Sequence, residues 1–319
     1  MMLKALQKLT ALSLFLGVCG VSFAEDKFEP KTLLAQMNQA TNQLNYEIAF
    51  VQTTPVNMES LRYRHLHING KTYAQLITLD GVPQEIVQRD GLVSYFQPNY
   101  PSFSINSYHI VDSLPTIMRI NLDTLAENYD FVNIGRNRVA DHVVQTIRIL
   151  PKDDFRYQYL VFIDENSKLL LRSDMLDREG NLLDQFRVVN MYVGDGLEKL
   201  SHYLDSVTFP PLLSESNTQH QKIKLSWQPT WLPRGFKLVN KSIEMNESNR
   251  IESQLFSDGL FYFTVYVSES IIPDEQENAW RQGPTTIYSE SKNNREITFI
   301  GQLPISTAKR IVQDIQFKP

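Results

Sequence analysis

Two histidines, His65 and His67, stand two residues apart in "SLRYRHLHI" (60–68), a spacing that sets both imidazoles on one face of a strand. Such a pair chelates a metal ion when a third ligand converges on it. His109, His142, His202 and His220 are scattered, and the sequence marks no third ligand, so the plain reading is a pair on a wet sheet face. The carboxylates Asp164, Glu165, Asp177 and Glu179 fall in turn-like segments, where Asp readily bonds to nearby backbone. There is no Gly-x-Ser-x-Gly elbow, His-Glu-x-x-His helix, phosphate-binding Gly-rich loop or dinucleotide fingerprint; Gly194-Asp195-Gly196 starts like the last but continues Leu-Glu-Lys. The sequence predicts no catalytic residue, no metal and no cofactor. Carboxylates brought together only by folding would not be visible in it.

Arginine offers binding chemistry instead. Alternation places Leu61, Tyr63 and His65 on one side of the strand and Arg62 and Arg64 on the other, and Arg136 and Arg138 form a second close pair. A solvated outer face is the ordinary reading, because arginine is mostly exposed in any fold. The sharper one is forked hydrogen bonding to the phosphates of an acidic lipid head group. On the opposite face Tyr46, Ile48, Phe50, Leu61, Tyr63 and Tyr95 would point into one concavity if the strand registers hold. Filled by helices that space is a core, which is the first reading; left open, it is a lipid-sized apolar pocket, which is the second.

Recognition is the other chemistry, and "SWQPTWLPRGF" (226–236) carries two of the three tryptophans. Pro229 and Pro233 hold it extended or turned, and Gly235 permits the turn into the next strand. Leu232 and Phe236 are natural core anchors, so a packed domain entrance is the first expectation. Trp227, Trp231 and Phe236 are equally the candidate contacts with a protein partner, since tryptophan joins a large apolar area to one donor.

These residues need elements to hold them. "KTLLAQMNQATNQL" (31–44) has helical spacing in Leu33, Leu34, Met37 and Leu44. The period then changes to two in 46–50 and 60–68, and Asn69-Gly70, Asp80-Gly81 and Asp90-Gly91 follow about ten residues apart, the mark of an antiparallel meander. A helix or two is predicted within 112–129, then strands over 129–151, 156–164, 168–177 and 182–193. The pattern dissolves over 194–222, with Pro210-Pro211 and a polar run typical of a linker. Strands return at 236–243, 251–269, 285–291 and 295–303, and "PISTAKRIVQDI" (304–315) closes with a helix. The fold class is α+β: a bent antiparallel sheet wrapped around helices, followed by a smaller strand-rich α+β unit.

The first 24 residues read as a secretory signal: Lys4 and Lys8, the apolar "LTALSLFLGVCGV" (9–21), and small residues before a cut after Ala24. Removing them takes the formal charge from −5 to −7 and leaves no cysteine, which excludes disulfides and thiolate chemistry and argues against a duplex nucleic-acid binder. The predicted organisation is a signal peptide (1–24), a first domain (25–205), a linker (206–222) and a second domain (223–319), exported to a periplasm-like compartment. Exposed apolar strands in the second domain would support self-association, or equally form its core.

With those segments in order, the chain resembles the RseB/MucB family of periplasmic negative regulators of the sigma-E-type envelope stress response. The matching stretches are "ESLRYRH" (59–65), "VQRDGLVSYFQP" (87–98), "YHIVDSLP" (108–115), "LDREGNLLDQFRVV" (176–189), "PPLLS" (210–214), "SWQPTWLPRGF" (226–236), "IESQLFSDGLFYFTVYV" (251–267) and "TAKRI" (307–311). The resemblance implies a first domain like the LolA/LolB lipoprotein carriers, an unclosed half-barrel plugged by helices. It also implies a second domain that grips the periplasmic domain of a membrane-spanning anti-sigma factor and shields it from proteolysis. Mislocalised lipopolysaccharide or lipoprotein acyl chains would then release that grip. A lipid or lipoprotein carrier is the alternative, and a hydrolase the third reading.

Overall fold

The computed structural model describes residues 29–111, 113–213, 223–246, 249–270 and 276–318. The predicted signal peptide and most of the predicted linker, 214–222, lie outside the described residues. The first helix, α1 (Pro30–Gln43), starts where proline is tolerated, at the first helical position. Glu29 caps it by accepting from the Thr32 N–H at 2.6 Å and the Lys31 N–H at 3.2 Å. Six strands follow: β1 (Tyr46–Thr54), β2 (Asn57–Ile68), β3 (Lys71–Thr78), β4 (Glu85–Arg89), β5 (Leu92–Gln97) and β6 (Tyr100–Asn106). A short 3-10 turn (Thr116–Arg119) and α2 (Leu122–Ala126) then cross to β7 (Tyr129–Val139), β8 (His142–Pro151), β9 (Gln158–Asp164), β10 (Leu170–Leu176) and β11 (Leu182–Val193).

These strands make one antiparallel sheet of eleven, ordered β6-β5-β4-β3-β2-β1-β11-β10-β9-β8-β7. The chain lays down one half, crosses with its helices, and lays down the other half against the first, so β6 and β7 are left as separate edges. That is the unclosed half-barrel expected, with α1 and α2 on its concave side. A third helix, α3 (Glu198–Ser206), docks Leu200 and Leu204 on the other face against Leu66, Tyr73 and Val87.

The second unit opens with β12 (Trp227–Pro229). Its main sheet comprises β13 (Lys237–Asn246), β14 (Asn249–Ser257), β15 (Tyr262–Glu269), β16 (Glu277–Gln282), β17 (Thr285–Lys292) and β18 (Arg295–Gly301), ordered β13-β14-β15-β18-β17-β16. α4 (Ile305–Gln313) follows, burying Thr307, Ala308, Ile311 and Val312 on one face, and β19 (Ile315–Phe317) returns to pair with β12.

Four elements depart from the expectation. β6 holds Pro101 and reads poorly as strand, but proline is tolerated on an edge. α3 has only two buried leucines, too few for a clear period. β16 has all six residues exposed and so no alternation to detect. The last helix ends at Gln313, and Ile315, expected on its apolar face, belongs to β19.

Candidate functional site

The registers converge as the sequence requires. Ile48 pairs with Tyr63, Tyr63 with Leu76, Leu76 with Ile86 and Ile86 with Tyr95, so one row of apolar side chains crosses five strands on the concave face. Tyr46, Ile48, Phe50, Leu61 and Tyr63 are at most 2% exposed and Tyr95 is 8% exposed. They pack in one cluster with Leu33, Leu34 and Met37 of α1 and with Ile117, Met118 and Leu125 of the crossing helices. The concavity is filled by hydrocarbon.

His65 belongs to this interior rather than to a wet face. It is 3% exposed, stacks on Tyr46 with ring centroids 5.4 Å apart, and donates from Nδ1 to the Leu44 carbonyl at 2.8 Å. Burial, reinforced by the nearby Arg119 charge, pushes its imidazole down to about 4. His67 is exposed, with Nδ1 3.3 Å from the Thr72 hydroxyl. Among the described residues no group of three His, Cys, Asp or Glu is placed to hold a metal ion.

The four arginines are on the surface and each has a carboxylate. Arg62 and Arg64 share Glu47, at 3.6 Å and 2.6 Å, and Arg64 also donates to Gln75 at 3.0 Å. Arg136 makes a forked pair with Glu165, at 2.7 and 3.1 Å, which holds that carboxyl below its ordinary range despite burial. Arg138 pairs with Asp141. The two pairs lie on opposite halves of the sheet, β2 and β7, and form no common cluster.

A separate apolar groove of about 680 Å³ lies at the β6 edge, lined chiefly by Tyr100, Pro101, Phe103, Pro211, Leu212 and Leu213. The segment after α3 covers that edge: Pro211 accepts from the Ser104 N–H at 2.9 Å and the Leu213 N–H donates to Ser104 at 2.7 Å.

"SWQPTWLPRGF" is a corner of the second unit. Trp227 is wholly buried opposite Phe317, and Phe236 is 7% exposed beside Phe263 at 5.2 Å. Trp231 is half-buried. Its ring meets Phe155 edge-on at 4.9 Å and carries the Arg310 guanidinium at 3.8 Å. Gly235 has φ +90°, and a Cβ there would strike the Asn128 side chain of the first domain.

The sequence reading missed Trp280, the third tryptophan, which is 54% exposed on β16. Its signal was weak because β16 has no buried partner face. In register it stands opposite Ile287, which faces Ile300, which faces Thr264, which faces Leu255. This apolar stripe crosses five strands, about 19 Å at the usual strand spacing. Beside it run Ser289 with Thr298, at 3.1 Å, and Ser242 with Ser253, at 2.8 Å, their hydroxyls paired across strands. Tyr262 and Tyr266, 49% and 37% exposed, complete a face of aromatic and hydroxyl side chains.

A helix-plugged half-barrel is joined to a sheet domain whose one largely uncharged face no described residue covers, and together they define a two-domain protein of α+β class. The chain belongs to the MucB/RseB family: the model for its N-terminal domain matches residues 29–213 and that for its C-terminal domain matches residues 221–316. It is 58% identical over 311 residues to the Sigma-E factor regulatory protein RseB of Haemophilus influenzae, covering 98% of each chain. To the protein of the same name from Escherichia coli K12 it is 42% identical over 288 residues, covering 89% of this chain and 90% of that one. Its fold is that of MucB as crystallised in complex with MucA(peri), with a TM-score of 0.70 at 22% identity, covering 91% of this chain and all of that one.

Proposed function

We propose that this chain is an exported, periplasmic regulator that binds the periplasmic domain of a membrane-spanning anti-sigma factor of the sigma-E type. It shields that domain from proteolysis and lets go when mislocalised lipopolysaccharide or lipoprotein acyl chains engage the first domain. The observation that carries this reading is the 58% identity to an RseB over 98% of both chains. The MucB fold, crystallised with MucA(peri), supports it.

Geometry suggests how the work is divided. The partner grip falls to the second domain. Trp227 and Phe236 are core there, which leaves Trp231, and with it the uncovered face around Trp280, for contact. Tyrosine, tryptophan and serine on a rigid sheet give large contact area at small entropic cost. A lipid phosphate at Arg62, Arg64, Arg136 or Arg138 would displace Glu47, Glu165 or Asp141 from its arginine. An acyl chain among Tyr46, Ile48, Phe50, Leu61, Tyr63 and Tyr95 requires α1 to move, since that helix fills their space. For lipid to act as a release signal it must bind the free form better than the complex.

The test is calorimetry of the chain, freed of residues 1–24, with a purified anti-sigma periplasmic domain, followed by lipopolysaccharide as competitor. Binding that lipopolysaccharide weakens is the expected result; no binding at micromolar concentrations removes the reading. The groove at Tyr100, Phe103 and Leu212 favours a second reading, a lipid or lipoprotein carrier. Native mass spectrometry of detergent-free protein decides for it if lipid is stoichiometric and no anti-sigma domain binds.

A further inference from the structure

The seam between the two domains holds a buried ionic cluster. Arg156, just before β9, and Asp258, in the β14–β15 turn, both have side chains 0% exposed, and the Arg156 Nε lies 3.4 Å from an Asp258 oxygen. The Tyr129 hydroxyl donates to that same Oδ2 at 2.5 Å. Arg156 also donates through Nη2 to the Arg234 carbonyl and lies 3.2 Å from Asp153. Its guanidinium is 5.3 Å from the ring centres of both Tyr129 and Phe236. Tyr129, Asp153 and Arg156 come from the first domain, and Arg234, Phe236 and Asp258 from the second.

Hydrocarbon packs beside the charges. The turn that carries Asp258 folds by giving its other oxygen, Oδ1, to the Leu260 and Phe261 N–H groups, at 3.0 and 2.8 Å. Phe261, wholly buried, is thereby laid on Tyr159 at 5.6 Å and edge-on to Tyr157 at 6.3 Å.

The cluster sets one guanidinium between two carboxylates, of which only Asp258 is wholly buried, and it is incomplete in hydrogen bonds. Arg156 Nε and Nη1 are buried without a hydrogen-bond partner, so the guanidinium recovers only part of the hydration it gives up. Attraction inside an apolar seam is strong, yet it is set against the cost of drying both ions, and the two nearly cancel. When the domains part, water takes both ions back. An aliphatic pair of the same size would regain nothing on opening. Charge here therefore specifies one orientation of the domains and makes parting them less costly than an aliphatic pair at the same place would.

We propose that Arg156, Asp258 and Tyr129 form an interdomain latch through which the two domains part and re-close as folded bodies. This goes beyond the partner reading and does not depend on it, since no partner enters the test. Hydrogen exchange followed by mass spectrometry on the full mature chain compares segments 153–159 and 256–264 with 46–50 in the concave core. The seam segments should exchange at least about tenfold faster than the core; exchange at the core rate means the latch opens only by global unfolding, and overturns the proposal.

Asp258→Asn keeps an oxygen for the Leu260 and Phe261 N–H groups but takes away the wholly buried counter-charge of Arg156, leaving it only Asp153 at the rim of the seam. It should enlarge the radius of gyration in small-angle scattering and speed seam exchange a further tenfold, with far-ultraviolet circular dichroism unchanged. Adding Arg156→Met removes the buried cation that has lost Asp258 and should restore the compact profile. A single variant as compact as the parent, or a double variant as open as the single, overturns the latch. If Asp258→Asn does not fold, Tyr129→Phe decides: removing one hydroxyl should speed seam exchange about threefold, and no change counts against the proposal.

Discussion

The two large sheets of this protein dispose of their faces in opposite ways. The eleven-stranded sheet turns its apolar face inward onto α1 and α2 and covers part of its other face with α3. The six-stranded sheet covers one face with α4 and leaves the other with Trp280, Tyr262 and Tyr266 exposed. Their sequences explain the contrast. On β1 and β2 one face is large and apolar and the other carries Glu47, Arg62 and Arg64, so only the first gains by burial. On β15 both faces carry aromatic residues, Phe263 inward and Tyr262 and Tyr266 outward, and only tyrosine brings a hydroxyl that water can satisfy. A filled concavity leaves the first domain no open space beneath α1. The second domain keeps aromatic side chains within reach of solvent without any rearrangement.

The contrast breaks first at α1. Leu34 is 0% exposed, and Leu34→Ala should cost about 2–5 kcal/mol, the range for a leucine truncated in a packed core. Denaturant titration followed by exchange mapping should place that loss in the first domain. A cost below about 1 kcal/mol would mean that the concavity is loosely filled and ready to take an acyl chain.

Acid probes the same interior. With His65 held down at about 4 in the fold and near 6.5 when unfolded, the unfolded chain binds the extra proton between those values. Stability therefore rises with pH through that window, is complete above about 6.5, and falls by about 3 kcal/mol on acidification to about 4. His65→Gln should flatten the titration there. An unchanged slope would place the acid sensitivity in other groups and His65 within reach of water.

What the sequence disclosed followed periodicity and turn chemistry. The strands that read clearly have alternating faces and Asn-Gly or Asp-Gly turns; Asn69 and Asp90 take the positive φ, 53° and 55°, that those turns require. β16 and α3 escaped because each buries too little to set a period. Site residues were harder. Spacing placed His65 and His67 on one strand face, but whether that face is wet depends on where α1 ends, a long-range fact. Trp227 and Trp231 are four residues apart and looked alike, yet pairing with β19 buries Trp227 wholly, whereas Trp231, past the end of β12, is half-buried against Phe155 and Arg310. The Arg156–Asp258 pair joins residues about a hundred positions apart, which no local pattern announces.

The second domain sharpens the comparison with smaller effects. Trp231→Ala removes a half-buried ring held by Phe155 and Arg310, and should cost about 1–2 kcal/mol, with melting of the second domain as the readout. If stability holds while anti-sigma binding disappears, Trp231 is a contact rather than a corner.

Trp280→Ala should be the mildest of all for the fold. Its strand is exposed at every residue and its cross-strand neighbour Ile287 remains packed on Ile300, so truncation leaves no cavity and should change stability by no more than about 0.5 kcal/mol. Affinity should respond far more, at least about tenfold for an anchor at the centre of a contact. Parallel thermal melts and calorimetry with the anti-sigma domain separate the outcomes. A melt lowered as much as by Trp231→Ala would show the face to be part of the packing, and unchanged affinity would move the partner to another surface. If stability is spared while binding is lost, the difference between the two sheets is functional: one spends its aromatic residues on its own core, the other holds them out for a second protein.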